Sequence, residues 1–155
     1  MKTKSGEELV ERFNRHLHPE VEALLPEALS RIESEGRKFF REQVDFGRVI
    51  GKTICVATNI GDNIVFAKRP NRSGYTRFVK NRQPEPTTFF SLIIKQGDLE
   101  RGKLVLLSAY IGEIGEPEPW DRNAGPNSSK FWAEHALVWD AEEIVPGTET
   151  DICPW

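Results

Sequence analysis

Cysteine is scarce in this chain: Cys55 and Cys153 are the only two among 155 residues. Two cysteines make neither a disulfide framework nor a cysteine-based zinc site. Cys55 lies in the apolar run Ile54-Cys55-Val56-Ala57 and reads as a small packed hydrophobe, Cys153 as a free thiol. No apolar run approaches the roughly 20 residues that cross a bilayer. The opening Met1-Lys-Thr-Lys-Ser-Gly-Glu-Glu has no hydrophobic segment behind its lysines, so neither a secretory signal nor a membrane partner is expected, and a reducing cytoplasm is. Metal-binding patterns are missing as well. Asp45, Asp62, Asp121 and Asp140 are scattered, and His16 and His18 stand two apart near a helix end and diverge. Gly47, Gly51 and Gly61 match neither GxxxxGK[ST] nor GxGxxG, and no GxSxG elbow occurs. No metal or cofactor is expected. An excess of one charge is also absent, since 21 Lys plus Arg against 24 Asp plus Glu leaves −3. That excludes a uniformly basic coat for nucleic acid but not a local basic patch.

What is present is ordinary for a globular domain, 38% hydrophobic and 29% charged, at a length that suits one domain, 1–155. Its first part, 1–46, reads as helical. Ser5-Gly-Glu-Glu8 is a capping-box pattern, followed by Leu9, Phe13 and Leu17 at four-residue spacing. His18-Pro19 breaks that helix, and a second begins near Glu20 with Val21, Leu24, Leu25, Leu29 and Ile32 on one side and a kink or a fresh helix start expected at Pro26. Arg37 to Val44, with Phe39 and Phe40, reads as a further helical piece.

From 47 to 140 the period changes to two. Strands are expected over Lys52–Thr58, Ile64–Lys68, Tyr75–Lys80, Thr88–Lys95, Lys103–Ile111 and His135–Asp140, with a hairpin turn at Asn59–Asn63 and a short helix at Ser129–Glu134. The tail, 141–155, reads as irregular. Short connections favour antiparallel neighbours. The expected fold is therefore α+β: N-terminal helices packed on one face of an antiparallel sheet of about five to six strands, the other face left for a site.

Charge is segregated within that sheet. Lys68, Arg69, Arg72, Arg77, Lys80 and Arg82 place six cations and no acid in fifteen positions, with Tyr75 and Phe78 between them. Cations interleaved with aromatics suit a phosphodiester backbone and its bases; the plain alternative is a solvated hairpin surface. Alternation puts Tyr75, Arg77 and Val79 on one face and Thr76, Phe78 and Lys80 on the other. On the strand 104–111, Leu104, Leu106, Ser108 and Tyr110 share a face that turns from apolar to hydroxyl-bearing, as a strand leaving the core for a cleft does, or as a hydrogen-bonded sheet end does. His135 stands at a strand start beside an irregular loop and has the chemistry for general acid–base work, although a lone histidine is more often structural. Gly115-Glu-Pro-Glu-Pro-Trp120-Asp121 is an acidic loop that reads either as a lid or as cover for a sheet edge.

N-terminal helices, an antiparallel sheet with Arg or Lys, Ser or Thr and Tyr, a late His, and the stretch Tyr75-Thr76-Arg77-Phe78-Val79-Lys80 together resemble the barnase/EndoU/RelE-like ribonuclease superfamily, toxin- and phage-type members above all. The resemblance spans about Lys52 to Asp140. It implies a metal-independent endoribonuclease that drives the ribose 2′-OH onto the adjacent phosphorus and leaves a 2′,3′-cyclic phosphate. It implies catalytic roles for His135 as acid or base, Arg77 and Lys68 as phosphate clamps, and Ser108 and Tyr110 as orienting hydroxyls. RNA would lie along Arg69, Arg72, Tyr75, Thr76, Lys80 and Arg82, and a cognate antitoxin or immunity protein would be a further partner. No glutamate stands where the barnase branch has its base, which leaves the base to His135, to Tyr110 or unassigned. The competing readings are a non-catalytic module that binds nucleic acid or an acidic protein through the 68–82 hairpin, and a docking protein anchored by Trp120, Trp132 and Trp155.

Overall fold

The computed structural model describes residues 1–12, 17–97 and 102–155. It is α+β, and the described residues form two α-helices, two four-stranded sheets and a two-stranded ladder, divided into two compact units. The first unit comprises Met1–Lys52 with Pro86–Ile114, the second Thr53–Glu85 with Gly115–Trp155.

The first unit is built on a sheet of β1 (Glu8–Arg12), β9 (Lys103–Ile111), β8 (Phe89–Gln96) and β2 (Phe39–Asp45), in that spatial order. Helix α1 (Pro19–Leu29) begins where the His18-Pro19 break predicts, with proline at its start, and it carries Pro26 inside. Its Val21, Leu25, Ala28 and Leu29 join Phe40, Val44, Phe90, Leu92, Ile94, Leu104 and Leu106 in one apolar core. β8 and β9 pair antiparallel as the alternation suggests; the loop expected between them lies partly outside the described residues.

Two expected helices are strands. Glu8–Arg12 runs parallel to β9, Leu9 opposite Leu104, and the Glu8 amide donates to the Gly102 carbonyl at 2.8 Å. The capping box does not form, because Ser5 donates to Glu7 at 2.5 Å instead. Of the stripe proposed for that helix, Phe13 lies outside the described residues, as does His16. Phe39–Asp45 pairs antiparallel with β8, burying Phe40 and Val44 while Phe39 stays 58% exposed. Its Arg, Glu and Gln favour helix locally, but positions 40 and 44 satisfy a period of two as well as a period of four. Cross-strand burial against Leu92, Ile94 and Phe90 decides between them. Arg37 covers the Phe40 ring at 4.4 Å and pairs with Glu42 at 2.5 Å, which closes the start of this strand.

Glu7 anchors the chain ahead of β1. Its partial burial works against ionisation, but hydrogen bonds from Ser5, Thr3 and Ser34 outweigh that and lower its pKa from 4.5 to about 2. A depressed carboxylate contributes stability that is present above its unfolded pKa and disappears as pH falls through the folded one. The loss is therefore expected between pH 4.5 and 2. Denaturant titrations across that window are expected to show a shallower acid loss for Glu7→Gln than for wild type; equal slopes contradict the assignment.

The second unit holds β4 (Cys55–Ala57), β10 (His135–Val138), β6 (Tyr75–Val79) and β5 (Ile64–Lys68), in that spatial order, and helix α2 (Ser128–Glu134) leads directly into β10. β5 and β6 form the expected hairpin, its turn including Asn71 at φ 62°, a left-handed conformation that asparagine tolerates. The turn at Asn59–Asn63 does not join paired strands, because β10 and β6 lie between β4 and β5. β10 also pairs parallel with β6, as β1 does with β9, so neither sheet is wholly antiparallel. Ala136 and Val138 pack on one side of β10 and Leu137 on the other, and a strand with apolar contacts on both faces gains most from a central position. Closing the long loops that bring β1 and β10 into place costs only logarithmically with their length. The segment after β10 is irregular apart from a 3-10 turn (Ala141–Glu143) and a bridge from Thr150 to Phe66. β3 (Gly51–Thr53) pairs with β7 (Glu85–Thr87). Among the described residues no helix is long and apolar enough to cross a membrane.

Candidate active site on the second sheet

The register of β5, β6 and β10 sorts the hairpin side chains by face. Ala67 is opposite Thr76, Val65 opposite Phe78, and Phe78 lies alongside Leu137. Thr76 and Phe78 therefore share a face with Leu137 and, two residues earlier on β10, with His135. Packing agrees: Phe78, Val65, Ala67 and Ile144 cluster with Leu137 and Trp139. Phe66 is opposite Arg77 and Lys68 opposite Tyr75, so Lys68, Tyr75 and Arg77 project from the other face, beside Val79. The sequence correctly separates Thr76 from Arg77, but it assigns His135 and Arg77 to one site. Their side chains leave opposite faces. Ser108 and Tyr110 belong to β9 of the first unit.

Arg77 is tied to backbone and hydroxyl groups. Its Nη1 donates to Thr58 Oγ1 and to the His135 carbonyl, each at 2.9 Å. Burial lowers its pKa below the usual arginine value, and no ion pair holds it among the described residues. Its contacts fasten the start of β10 to the end of β4.

The other cations are largely compensated by acids distant in sequence. Arg82 donates to the Ala57 carbonyl at 3.1 Å, to Asp62 at 3.1 Å and to Glu85, and so caps the outer edge of β4. Lys80 pairs with Glu149 at 3.5 Å and lies 4.5 Å from the centre of the Trp139 ring. Arg69 pairs with Glu118 at 2.5 Å. Lys68 lies 5.6 Å from the centre of the Tyr75 ring, and the exposed Arg72 donates to the Pro70 carbonyl. Arg82→Ala is accordingly expected to lower the thermal midpoint while leaving nucleic-acid affinity unchanged. A weaker affinity at an unchanged midpoint would place Arg82 in a binding surface instead.

Beside Thr76, Arg69 bridges a hydroxyl and a carboxylate. Arg69 donates through Nε to Thr76 Oγ1 at 3.1 Å and through Nη2 to Glu118. Thr76 is fully buried, so its hydroxyl fixes the guanidinium fork. Glu118 is 8% exposed, and its second oxygen, Oε1, is buried without a hydrogen-bond partner among the described residues. Two residues on, the indole Nε1 of Trp120 is also buried and unpartnered. Trp120 presses on the hairpin turn at Gly74, where a Cβ would stand 2.1 Å from its Cγ. Trp132 anchors the same loop by donating to the Glu116 carbonyl at 2.9 Å.

His135 is held by α2. Its ring stacks on Phe131 at 4.0 Å between centroids and 5° between planes, and Nδ1 lies 2.9 Å from the Phe131 carbonyl oxygen. A carbonyl only accepts, so Nδ1 is the donor of that bond and Nε2 is not used in it. The Nδ1–H···O bond persists in both protonation states and keeps the ring oriented.

Glu118, an isolated acid in Pro117-Glu-Pro119, is not marked by any sequence motif. The signal for it was indirect, a surplus of local positive charge on the hairpin that has to find counter-charge elsewhere in the chain. Among the described residues no cluster of three or more His, Cys, Asp or Glu side chains is arranged to hold a metal ion. No protein-family model matches the chain, and comparison with curated proteins and with solved structures finds no match.

Proposed function

We propose that the protein is a metal-independent endoribonuclease of the transphosphorylating type, with its reaction centre on the face of the second sheet that carries Arg69, Thr76 and His135. The observation that carries this reading is Glu118, a buried carboxylate bound to Arg69 through one oxygen and, among the described residues, unpartnered at the other. A buried acceptor without a partner is costly and calls for an explanation, a catalytic role among them. In this reading Glu118 supplies the base, which leaves His135 to act as the acid.

In this reading Glu118 accepts the proton of a ribose 2′-OH. The freed oxygen attacks the adjacent phosphorus, and the bond from phosphorus to the 5′-oxygen breaks. His135 donates the Nε2 proton to that departing oxygen, so the products are a 2′,3′-cyclic phosphate and a 5′-hydroxyl. Arg69, its fork fixed by Thr76, stabilises the charge gathering on the equatorial phosphate oxygens. Arg77 keeps the start of β10 in place and takes no part in the chemistry.

The test is purified protein on mixed RNA in EDTA, wild type beside Glu118→Gln. Wild type is expected to yield cyclic-phosphate ends and Glu118→Gln to yield them far more slowly. Intact RNA with wild type, or equal rates for both proteins, overturns the reading. A second reading, a non-catalytic nucleic-acid-binding module, draws on the opposite face, where Lys68 and Arg77 flank Tyr75 with no ion pair on either cation among the described residues. It predicts binding without cleavage, weakened by Lys68→Ala.

A further inference from the structure

We infer that Arg69 and Thr76 form a phosphodiester-binding site that Glu118, one of the chain's own carboxylates, occupies in this structure, and that the loop Gly115–Asp121 lifts when a phosphate takes its place. This deepens the reading above and rests on it for the identity of the ligand as RNA. The guanidinium donates through Nε to a buried hydroxyl, which fixes its orientation, and through Nη2 to a carboxylate oxygen, the donor that a phosphate oxygen would take over. Leaving Arg69 bare in a partly buried site would be costly, but exchanging one anion for another keeps it paired throughout.

The closed loop is imperfectly satisfied. Glu118 Oε1 and Trp120 Nε1 are one acceptor and one donor, both buried and without partners among the described residues. Each such atom forfeits hydrogen bonds that water supplies once the loop lifts. Release therefore recovers part of what breaking the Arg69–Glu118 pair costs, and it moves the carboxylate from the guanidinium toward solvent, where it is available to a 2′-OH. The loop has a definite seat: the indole lies against Gly74, which has no room for a side chain beneath it. Gly74 does not adopt a positive φ, so alanine is compatible with the backbone there and acts by displacing Trp120.

The experiment measures binding alone. The probe is a fluorescent single-stranded oligonucleotide with 2′-O-methyl riboses, which keeps the phosphodiesters and removes the nucleophile, followed by anisotropy at fixed salt. Glu118→Gln is expected to bind about tenfold more tightly than wild type, and Gly74→Ala more tightly as well. Glu116→Gln makes the same charge change two residues away and is expected to shift affinity far less. In an Arg69→Ala background the gain from Glu118→Gln is expected to vanish. Unchanged or weaker binding by Glu118→Gln, an equal gain from Glu116→Gln, or a gain that survives loss of Arg69 overturns the inference. Because the probe is not cleaved, these outcomes stand apart from the ribonuclease reading. Tighter binding without RNA cleavage by wild type keeps the anion site and removes the enzyme, and cleavage without tighter binding does the reverse.

Discussion

His135→Ala is expected to lower single-turnover cleavage of RNA by about 10²–10⁴-fold, the range over which a positioned general acid contributes. The imidazole stacks on Phe131 and is bonded through Nδ1 to the Phe131 carbonyl, so in the proposed reaction the donated proton is the one on Nε2 of the imidazolium. The role of acid can be separated from that of base by changing the leaving group. A nucleoside 3′-phosphodiester of nitrophenol releases an anion that needs no proton, so His135→Ala should cost little on that substrate. Glu118→Gln should cost as much as on RNA, since the 2′-OH must still be deprotonated. If both variants lose equally on both substrates, the assignment of acid and base fails; if His135→Ala cleaves RNA at the wild-type rate, His135 leaves the mechanism.

Phe78→Ala is expected to destabilise the second unit by about 3–5 kcal/mol, the usual cost of emptying a buried aromatic site. Phe78 is 2% exposed and lies against Val65, Ala67 and Ile144, with the Trp139 ring edge-on at 5.5 Å. It sits between the Thr76 and Lys80 positions on the face that carries the proposed site. Denaturant unfolding followed by tryptophan fluorescence is the check, because Trp139 reports from the cavity itself. A loss below about 1 kcal/mol would mean that the side chains around it collapse to fill the space. Phe78→Leu, which leaves a smaller void, is expected to fall between.

What could be read from the sequence depended on how far apart the deciding contacts are. Ile64–Lys68 and Lys103–Ile111 were legible to the residue, and the Lys68-to-Tyr75 hairpin with them, because alternation and a short turn specify such a pair locally. Glu8–Arg12 and Phe39–Asp45 were misread as helix because their local composition favours it. Only β9 and β8, roughly 50 to 95 positions further on, make them strands. The site divides in the same way. Thr76 and Arg77 were placed on opposite faces by period two alone, and the α2–β10 junction put His135 at a strand start. The pairing of His135 with Arg77 failed because a face shared between β6 and β10 depends on register, and a one-residue slip would reverse it. Glu118, 49 positions from Arg69, was invisible for want of any local pattern.

The most direct measurement uses a DNA oligonucleotide carrying a single ribonucleotide, incubated with the wild-type protein in EDTA and resolved by mass. The account predicts one cut, on the 3′ side of that ribose, leaving a 2′,3′-cyclic phosphate on one fragment and a 5′-hydroxyl on the other. An intact strand, a cut elsewhere along the DNA, or a 3′-hydroxyl at the ribose would contradict it.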